Sequence, residues 1–295
     1  MEIDPSTMHT SLIVVCTLSL IGNCFISIIY FGYKSLRSYI LLLVVLMLSG
    51  DSLKLIGVFI STEESSCSIA GYLFVTGALS GLFWSAIIAY TVFEAYVIYD
   101  NIFIVRKVYL AIGFGLPFCM SALPFSTKAY NYRNGYCFIN ESKIDMYIWR
   151  SICLYIPALI VTVFNYRKYR KVIEAIEEDM EILPNQSIVK SQRKFSRRLL
   201  IYPLIIIICY FPSLLCITIE VSTKTPDAIL LICSSLECSY GLFYSLLYSC
   251  TPKIMSAVKD TIFCKKDSDV SENNKNYPME EEIVKGSFLM YSELN

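Results

Sequence analysis

The sequence predicts an all-α fold: a polytopic membrane protein built as a seven-transmembrane-helix bundle. Of its 295 residues, 55% are hydrophobic and only 17% are charged, whereas soluble domains average roughly 25% charged residues. The apolar residues are gathered in seven long runs, and about 20 apolar residues suffice for a helix to cross a bilayer. The predicted spans cover residues 8–33, 38–61, 68–100, 107–125, 144–164, 199–221 and 228–250.

Composition argues against several other classes of protein. The formal net charge is zero, so bulk charge predicts no nucleic-acid partner. The 12 cysteines are scattered without the Cys-x-x-Cys pairs of a zinc site, and we expect no metal or cofactor. With His9 as the single histidine and no ordered cluster of Cys and Asp, nothing suggests an enzyme. The first apolar run follows acids and is too long for the core of a cleavable signal peptide.

Polar residues mark the first two spans. Span 1 carries Asn23, which we expect to hydrogen-bond to a neighbouring helix. Span 2 carries Asp51 and Lys54, which lie three positions apart and can face each other on a helix. This pair is either an internal polar switch near the middle of the membrane or a self-neutralising ion pair.

Span 3 is predicted to be the central helix of the bundle. Small residues recur in it every four positions, about one helical turn, and therefore share a face. They are Gly77, Gly81, Ser85 and Ala89. Small residues let lipid-embedded helices approach closely, since hydrophobic driving force between them is weak. The alternative is a lipid-facing helix with incidental glycines. Glu94, the one acid of the apolar run from Ile69 to Tyr99, lies near its end and needs a polar partner or water.

Proline and charge shape spans 4 and 5. Pro117 and Pro124 predict kinks in span 4. A polar loop at 126–143 follows, and it contains Cys137 and the glycosylation sequence that begins at Asn140. The helix of span 5 is predicted to continue as a charged extension into water, through Asn165 to Leu183.

Spans 5 to 7 carry candidate mechanistic residues. Pro203 and Pro212 each remove a backbone hydrogen bond from span 6 and are predicted bending points. Glu237 lies near the middle of span 7, where an ionisable group is a functional candidate. Arg150, about two turns into span 5, would share an outward-facing pocket with Glu237, and Arg suits a phosphate or a carboxylate. The alternatives are a structural Arg–acid pair and a snorkelling Arg.

The distribution of loop charge predicts the orientation. Basic residues concentrate in the loops between spans 1 and 2, 3 and 4, and 5 and 6, which places these loops in the cytoplasm and the N-terminus outside. Cys67, Cys137 and Asn140 then lie outside, where disulfides persist and glycosylation occurs. The second glycosylation sequence, which begins at Asn185, lies inside.

The C-terminal part is predicted to lie in the cytoplasm. Residues 1–264 form one seven-transmembrane domain that ends in a short amphipathic segment, 253–264. Cys264 is either a palmitoylation site or a free surface thiol. Residues 265–295 are polar and charged, and we expect a disordered tail.

Several strings, taken in order, give the sequence a resemblance to a known family. They are CSIAGYL at 67–73, FW at 83–84, GFGLP at 113–117, GYCF at 135–138, NYR at 165–167, VI at 172–173, LIYPL at 200–204 and CYFP at 209–212. With its seven spans and outside N-terminus, the chain resembles the cyclic-AMP receptor-like G-protein-coupled receptors of slime moulds, ciliates and plants. Two rhodopsin-type motifs are absent: FEAY at 93–96 replaces Asp-Arg-Tyr, and YSCTP at 248–252 replaces Asn-Pro-x-x-Tyr.

The resemblance implies a plasma-membrane receptor that binds an extracellular small-molecule or peptide ligand and activates a heterotrimeric G protein. It implies a disulfide between Cys67 and Cys137. We expect the ligand site to involve Arg150, Glu237 and Trp84. The predicted G-protein-coupling residues are Glu94, Arg106, Lys107, Arg167, Lys168, Arg197 and Arg198. The basic members of this set are alternatively only topology determinants and lipid-headgroup contacts.

A seven-span transporter or channel is the rival function. Against it, the sequence shows neither an internal repeat nor a broken helix facing its counterpart. A retinal photoreceptor is set aside because residues 228–250 contain no lysine for a Schiff base.

Overall fold

A computed structural model describes residues 4–61, 66–98, 107–133, 136–139, 143–182, 205, 207–213, 215–216, 219, 226–249 and 254–255. Its first four long helices are α1 (Pro5–Gly32), α2 (Tyr39–Ile60), α3 (Cys67–Phe93) and α4 (Lys107–Thr127). A 3-10 turn, Lys34–Leu36, joins α1 to α2, and a π turn, Glu94–Ile98, extends α3.

A hairpin and three further helices follow α4. The hairpin consists of β1 (Tyr130–Arg133) and β2 (Tyr136–Ile139), which pair antiparallel. Helix α5 runs without interruption through Lys143–Arg150, Ser151–Tyr155 and Ile156–Ile182. Positions 207–213 and 215–216 are helical and are called the 207–216 segment below. The last two helices are α6 (Asp227–Cys238) and α7 (Tyr240–Ser249).

The described helices are those of a membrane-embedded protein. Five of them are long and apolar enough to cross a membrane, or six if α6 and α7 count as one bent span. The outer face of α1 shows large exposed apolar side chains at helical spacing. They are Val14, Leu18, Ile21, Phe25 and Ile28. Such a stripe suits a lipid environment, so the all-α, polytopic prediction holds for the described part of the chain.

Helix α3 is the most enclosed helix, as predicted for span 3. Of the residues in its most apolar window, 78% are buried, compared with 61% for α2 and less for the other spanning helices. Gly77 lies against α2, whereas Gly81 lies near the Tyr210 hydroxyl. Ser85 accepts a hydrogen bond of 3.1 Å from Asn165 of α5. The small residues of α3 therefore serve several neighbouring helices rather than one.

Proline distorts α4, as the sequence predicts. Pro117 has no amide N–H to donate to the Gly113 carbonyl, four residues earlier, and the backbone there forms a π turn. The Gly113 carbonyl accepts a hydrogen bond from Ser80 Oγ of α3 instead, at 2.8 Å. Pro124 lies in the 3-10 turn that ends α4.

The region predicted as one span at 228–250 forms two helices, α6 and α7, bent by 43°. Two side chains bond to backbone groups at the bend. Lys54 Nζ donates to the Glu237 carbonyl at 2.8 Å. The Leu242 N–H donates to Ser19 Oγ at 3.1 Å. Polar backbone groups inside a membrane need a partner, and these two contacts explain how the chain bends without proline.

Glycine substitutions in α3 test the close packing of α2 on α3. A Cβ atom at Gly77 would overlap the Lys54 amide nitrogen and lie 2.6 Å from the Gly50 carbonyl oxygen. Gly77→Ala should therefore force the two backbones apart, at a cost of about 1–3 kcal/mol. At Gly81 the nearest atom is the Tyr210 hydroxyl at 3.5 Å, so Gly81→Ala should leave stability unchanged or raise it.

The measurement is thermal unfolding of the two purified variants in detergent. Equal midpoints for Gly77→Ala and Gly81→Ala would contradict the α2–α3 packing described above.

Candidate functional site

A buried lysine on α2 joins three helical elements. The Lys54 side chain is fully buried, and its ammonium forms an ion pair of 2.8 Å with Asp51 Oδ1. It donates to the Glu237 carbonyl of α6 at 2.8 Å and to the Tyr210 hydroxyl of the 207–216 segment at 3.3 Å. An ammonium has three donors, and each has an acceptor here. We call Asn23, Asp51, Lys54, Tyr210, Ser213 and Glu237 the Lys54 cluster.

Helix α1 completes the acidic side of the Lys54 cluster. Asn23 Nδ2 donates to Asp51 Oδ2 at 3.0 Å and to Ser52 Oγ at 3.2 Å. Helix α7 passes directly over this pair because Gly241 has no side chain. A Cβ atom there would overlap both Asn23 Oδ1 and Asp51 Oδ2. The sequence prediction that Asn23 bonds to a neighbouring helix is confirmed.

The Glu237 carboxyl group points toward the 207–216 segment. Ser213 Oγ donates to Glu237 Oε2. Two aromatic rings flank the cluster: Lys54 Nζ lies 5.1 Å from the ring centre of Tyr210 and 5.5 Å from that of Tyr240. The 207–216 segment is thus bound to α6 by a carboxyl contact and to α2 through the shared ammonium.

The hairpin covers one end of the central helix, called the hairpin end below. A disulfide joins Cys67, the first residue of α3, to Cys137 of β2, as predicted. The Cys137 N–H donates to Ser61 Oγ at 3.2 Å. All four residues of β2 are buried. Phe74 of α3 packs against the ring of Phe138, with ring centres 5.6 Å apart.

The hairpin lies between Arg150 and α6. Arg150 Nε donates to the Ile139 carbonyl at 2.8 Å, and its guanidinium lies 5.1 Å from the centre of the Phe138 ring. On the other side, the Tyr136 hydroxyl is 3.5 Å from Ser234 Oγ. Burial, and then the nearby Glu237 carboxylate, raises the pKa of the Tyr136 hydroxyl. Tyr136 is therefore a neutral hydroxyl at physiological pH.

The opposite end of the bundle holds the predicted coupling residues that the structure describes. Glu94 is buried, and its Oε2 accepts a hydrogen bond from the Tyr109 hydroxyl at 3.2 Å. Lys168 Nζ lies 3.6 Å from the centre of the Phe93 ring. Lys107 and Arg167 are exposed.

The charged extension predicted for span 5 is present, and α5 stays helical to Ile182. Six of its charged side chains are exposed, namely Arg167, Arg170, Lys171, Glu174, Glu177 and Glu178. In contrast, Asn165, Tyr169, Val172 and Ile176 are buried.

The predicted ligand-binding residues are not brought together as one group. Trp84 is completely buried against Gly113 and Phe114 of α4. Arg150 and Glu237 both act electrostatically on the Tyr136 hydroxyl, and Arg150 bonds to the Ile139 carbonyl of the hairpin. Pro212 is helical within the 207–216 segment. Seven residues named in the predictions fall outside the described residues: Arg106, Asn140, Asn185, Arg197, Arg198, Pro203 and Cys264.

The hairpin and two members of the Lys54 cluster are not predicted from the sequence. The dipeptide Asn134-Gly135 between two aromatic runs is a typical hairpin signal, and it would have predicted β1 and β2. Tyr210 and Ser213 have no comparable signal, because they become neighbours of Lys54 and Glu237 only through helix packing.

No protein-family model matches the sequence, and no curated protein is significantly similar to it.

Removing the Lys54 charge tests the energetic role of the Lys54 cluster. Lys54→Met leaves the Asp51 carboxylate buried without its cation, and breaking a buried ion pair in this way costs about 3–5 kcal/mol. The double variant Asp51→Asn/Lys54→Met removes both charges and keeps an acceptor for Asn23. We expect it to lose clearly less stability than Lys54→Met.

The two variants are compared by denaturant unfolding in detergent. A single variant as stable as the double variant would show that the buried Asp51 carboxylate does not depend on the Lys54 ammonium.

Proposed function

We propose that this chain is a seven-span cell-surface receptor that binds an extracellular ligand and activates a heterotrimeric G protein, related to the cyclic-AMP receptor-like family. The observation that carries the proposal is the disulfide between Cys67 and Cys137. It fixes the loop after α4 over the mouth of the central helix, where a ligand arriving from outside would meet it.

A contiguous set of contacts supports a route for the signal. Tyr136 of the hairpin lies beside Ser234, one turn before Glu237 on α6. The Glu237 carbonyl binds Lys54, and Lys54 binds Tyr210. A ligand that moves the hairpin would therefore shift the position of α6 and, through Lys54, that of the 207–216 segment. The mechanism is a population shift toward the state that the ligand binds better.

The proposed topology has the hairpin end outside and the basic end of α5 in the cytoplasm. The six candidate spans of the described residues are α1 to α5 and the bent pair α6–α7, and the 207–216 segment lies in the remaining predicted span. Loop charge favours this orientation. The proposed localisation is the plasma membrane, with a cytoplasmic C-terminus.

The proposed G-protein surface is the end opposite the hairpin. Arg167 and Lys171 are exposed on α5 there. Each such charge contributes only about 0–1 kcal/mol alone, but several together steer association with an acidic partner surface. Arg106, Arg197 and Arg198 would extend this surface.

Binding of GTPγS to membranes of expressing cells tests the receptor proposal. A library of small metabolites and cyclic nucleotides is screened, and we expect at least one compound to raise nucleotide exchange above that of untransfected membranes. A library without any activating compound, combined with basal exchange equal to the control, counts against the proposal.

The bend between α6 and α7 favours a transporter or channel as the second candidate function. Broken helices with free backbone groups bind ions and substrates in many transporters. Here the Glu237 carbonyl accepts a hydrogen bond from Lys54, and the Leu242 N–H donates one to Ser19. Because both backbone groups already have partners within the protein, neither is free to coordinate a substrate. Solute flux in proteoliposomes separates the two functions.

Glycosylation tests the orientation. With the hairpin end outside, Asn140 should carry a glycan in a host that modifies its sequence, and Asn185 should not. Asn140→Gln should remove a glycosidase-sensitive mass shift, whereas Asn185→Gln should leave it in place. A shift that depends on Asn185 would mean that the topology is inverted.

Charge reversal tests the coupling surface. Arg167→Glu/Lys171→Glu should abolish agonist-stimulated GTPγS binding while surface expression and ligand binding persist, because the partner's acidic groups then meet like charge. The same outcome is expected for Arg197→Glu/Arg198→Glu. Lys128→Glu, at the hairpin end, is the matched control and should signal normally. Wild-type signalling by both double variants would place the G protein elsewhere.

A further inference from the structure

A second pair of cysteines lies in contact at the hairpin end. Cys216 of the 207–216 segment and Cys233 of α6 have their sulfur atoms 2.7 Å apart. Both residues are buried in a small apolar cluster of their own with Met8 and Leu230. Two thiols from neighbouring helices that approach this closely are positioned to form a disulfide, which requires short separations between the two side chains.

The Cys216–Cys233 pair lies at the same depth along the bundle axis as the hairpin. Cys233 precedes Ser234, whose hydroxyl is 3.5 Å from that of Tyr136, and Tyr136 precedes the disulfide-bonded Cys137. Six positions separate Cys233 from Asp227, the first residue of α6, which is about 9 Å along a helix. The two cysteine pairs therefore lie on the same side of the bilayer.

A similar pair deeper in the bundle offers an internal control. The thiols of Cys16 and Cys238 hydrogen-bond to each other. Cys16 lies eleven positions after Pro5, the start of α1, and Cys238 eleven after Asp227, the start of α6. Both are therefore about 16 Å along the axis from the first residues of their helices, near the middle of the bilayer and away from an aqueous oxidant.

We propose that Cys216 and Cys233 form a second disulfide, which fastens the 207–216 segment to α6 at the hairpin end. The inference rests on the proposed orientation, in which the hairpin end faces an oxidising compartment. It needs neither a G protein nor a ligand.

The oxidant is the disulfide of a protein oxidant in that compartment. Before the two helices close on each other, the Cys216 thiolate attacks this disulfide and forms a mixed disulfide, releasing one thiol of the oxidant. The Cys233 thiolate then attacks Cys216 Sγ, which forms the new bond and releases the second thiol. The two cysteines lose two electrons and two protons, and the oxidant gains them as its dithiol.

The crosslink has a consequence for movement of the 207–216 segment. At residues that precede Cys216, the same segment contacts α6 through Ser213 and Glu237 and contacts α2 through the bond between Tyr210 and Lys54. A covalent bond at the hairpin end leaves that end fixed to α6. Movement of the segment is then confined to its other end, where Tyr210 and Ser213 make releasable contacts with the Lys54 cluster.

Differential alkylation of the full-length protein tests the inference. Membranes are solubilised and denatured in excess N-ethylmaleimide, the protein is digested without reductant, and linked peptides are identified by mass spectrometry. We expect a Cys216–Cys233 linkage beside the Cys67–Cys137 linkage, with Cys16 and Cys238 both alkylated. In Cys216→Ser, Cys233 should become alkylated while the Cys67–Cys137 linkage remains.

Three results would overturn the inference. If Cys67 and Cys137 are linked but Cys216 and Cys233 are alkylated, the second disulfide does not form, and the proposed orientation stands. If neither pair is linked, the inference fails together with the orientation. If Cys16 and Cys238 are linked to the same extent as Cys216 and Cys233, oxidation after extraction explains both pairs.

Discussion

The Lys54 ammonium is the contact on which the arrangement of the surrounding helices depends. Taking an ammonium out of water costs several kcal/mol even after the protein relaxes, so its burial is stable only with every donor satisfied. The acceptors come from Asp51 on its own helix, Tyr210 on the 207–216 segment and the Glu237 carbonyl on α6. One nitrogen atom therefore couples the positions of three elements, and no one of them moves without breaking a bond to it.

The same principle recurs wherever the backbone departs from a regular helix. Pro117 has no N–H to donate to the Gly113 carbonyl, and Ser80 Oγ donates to that carbonyl instead. At the start of α7, Ser19 Oγ accepts a hydrogen bond from the Leu242 N–H. Inside a membrane, backbone N–H and C=O groups have no water with which to form hydrogen bonds. Each of these two distortions therefore requires a side chain from another helix. The positions of neighbouring helices therefore depend on one another. A change that releases one contact also exposes a backbone group, which favours movement between discrete arrangements rather than gradual deformation.

Sequence reasoning predicts the membrane class, the central position of α3, the distortions at Pro117 and Pro124 and the pairing of Asp51 with Lys54. Each of these features has a local signal in the sequence: an apolar run, a four-residue repeat, a proline or a three-residue spacing. The bend between α6 and α7 has none, because the groups that support it lie on α1 and α2. Likewise, the place of Arg150 depends on the hairpin, whose buried β2 reads in sequence as part of a polar loop.

In the receptor that we propose, the Lys54 cluster would stabilise the resting state. The most direct measurement is ligand-independent GTPγS binding to membranes that carry Asp51→Asn/Lys54→Met, at a surface density matched to that of wild type. This variant removes the ammonium together with the Asp51 carboxylate that forms the ion pair with it. If the ammonium restrains the 207–216 segment, basal nucleotide exchange should rise above the wild-type level. Basal exchange equal to that of wild type, in a variant that reaches the surface and still responds to agonist, would contradict the account.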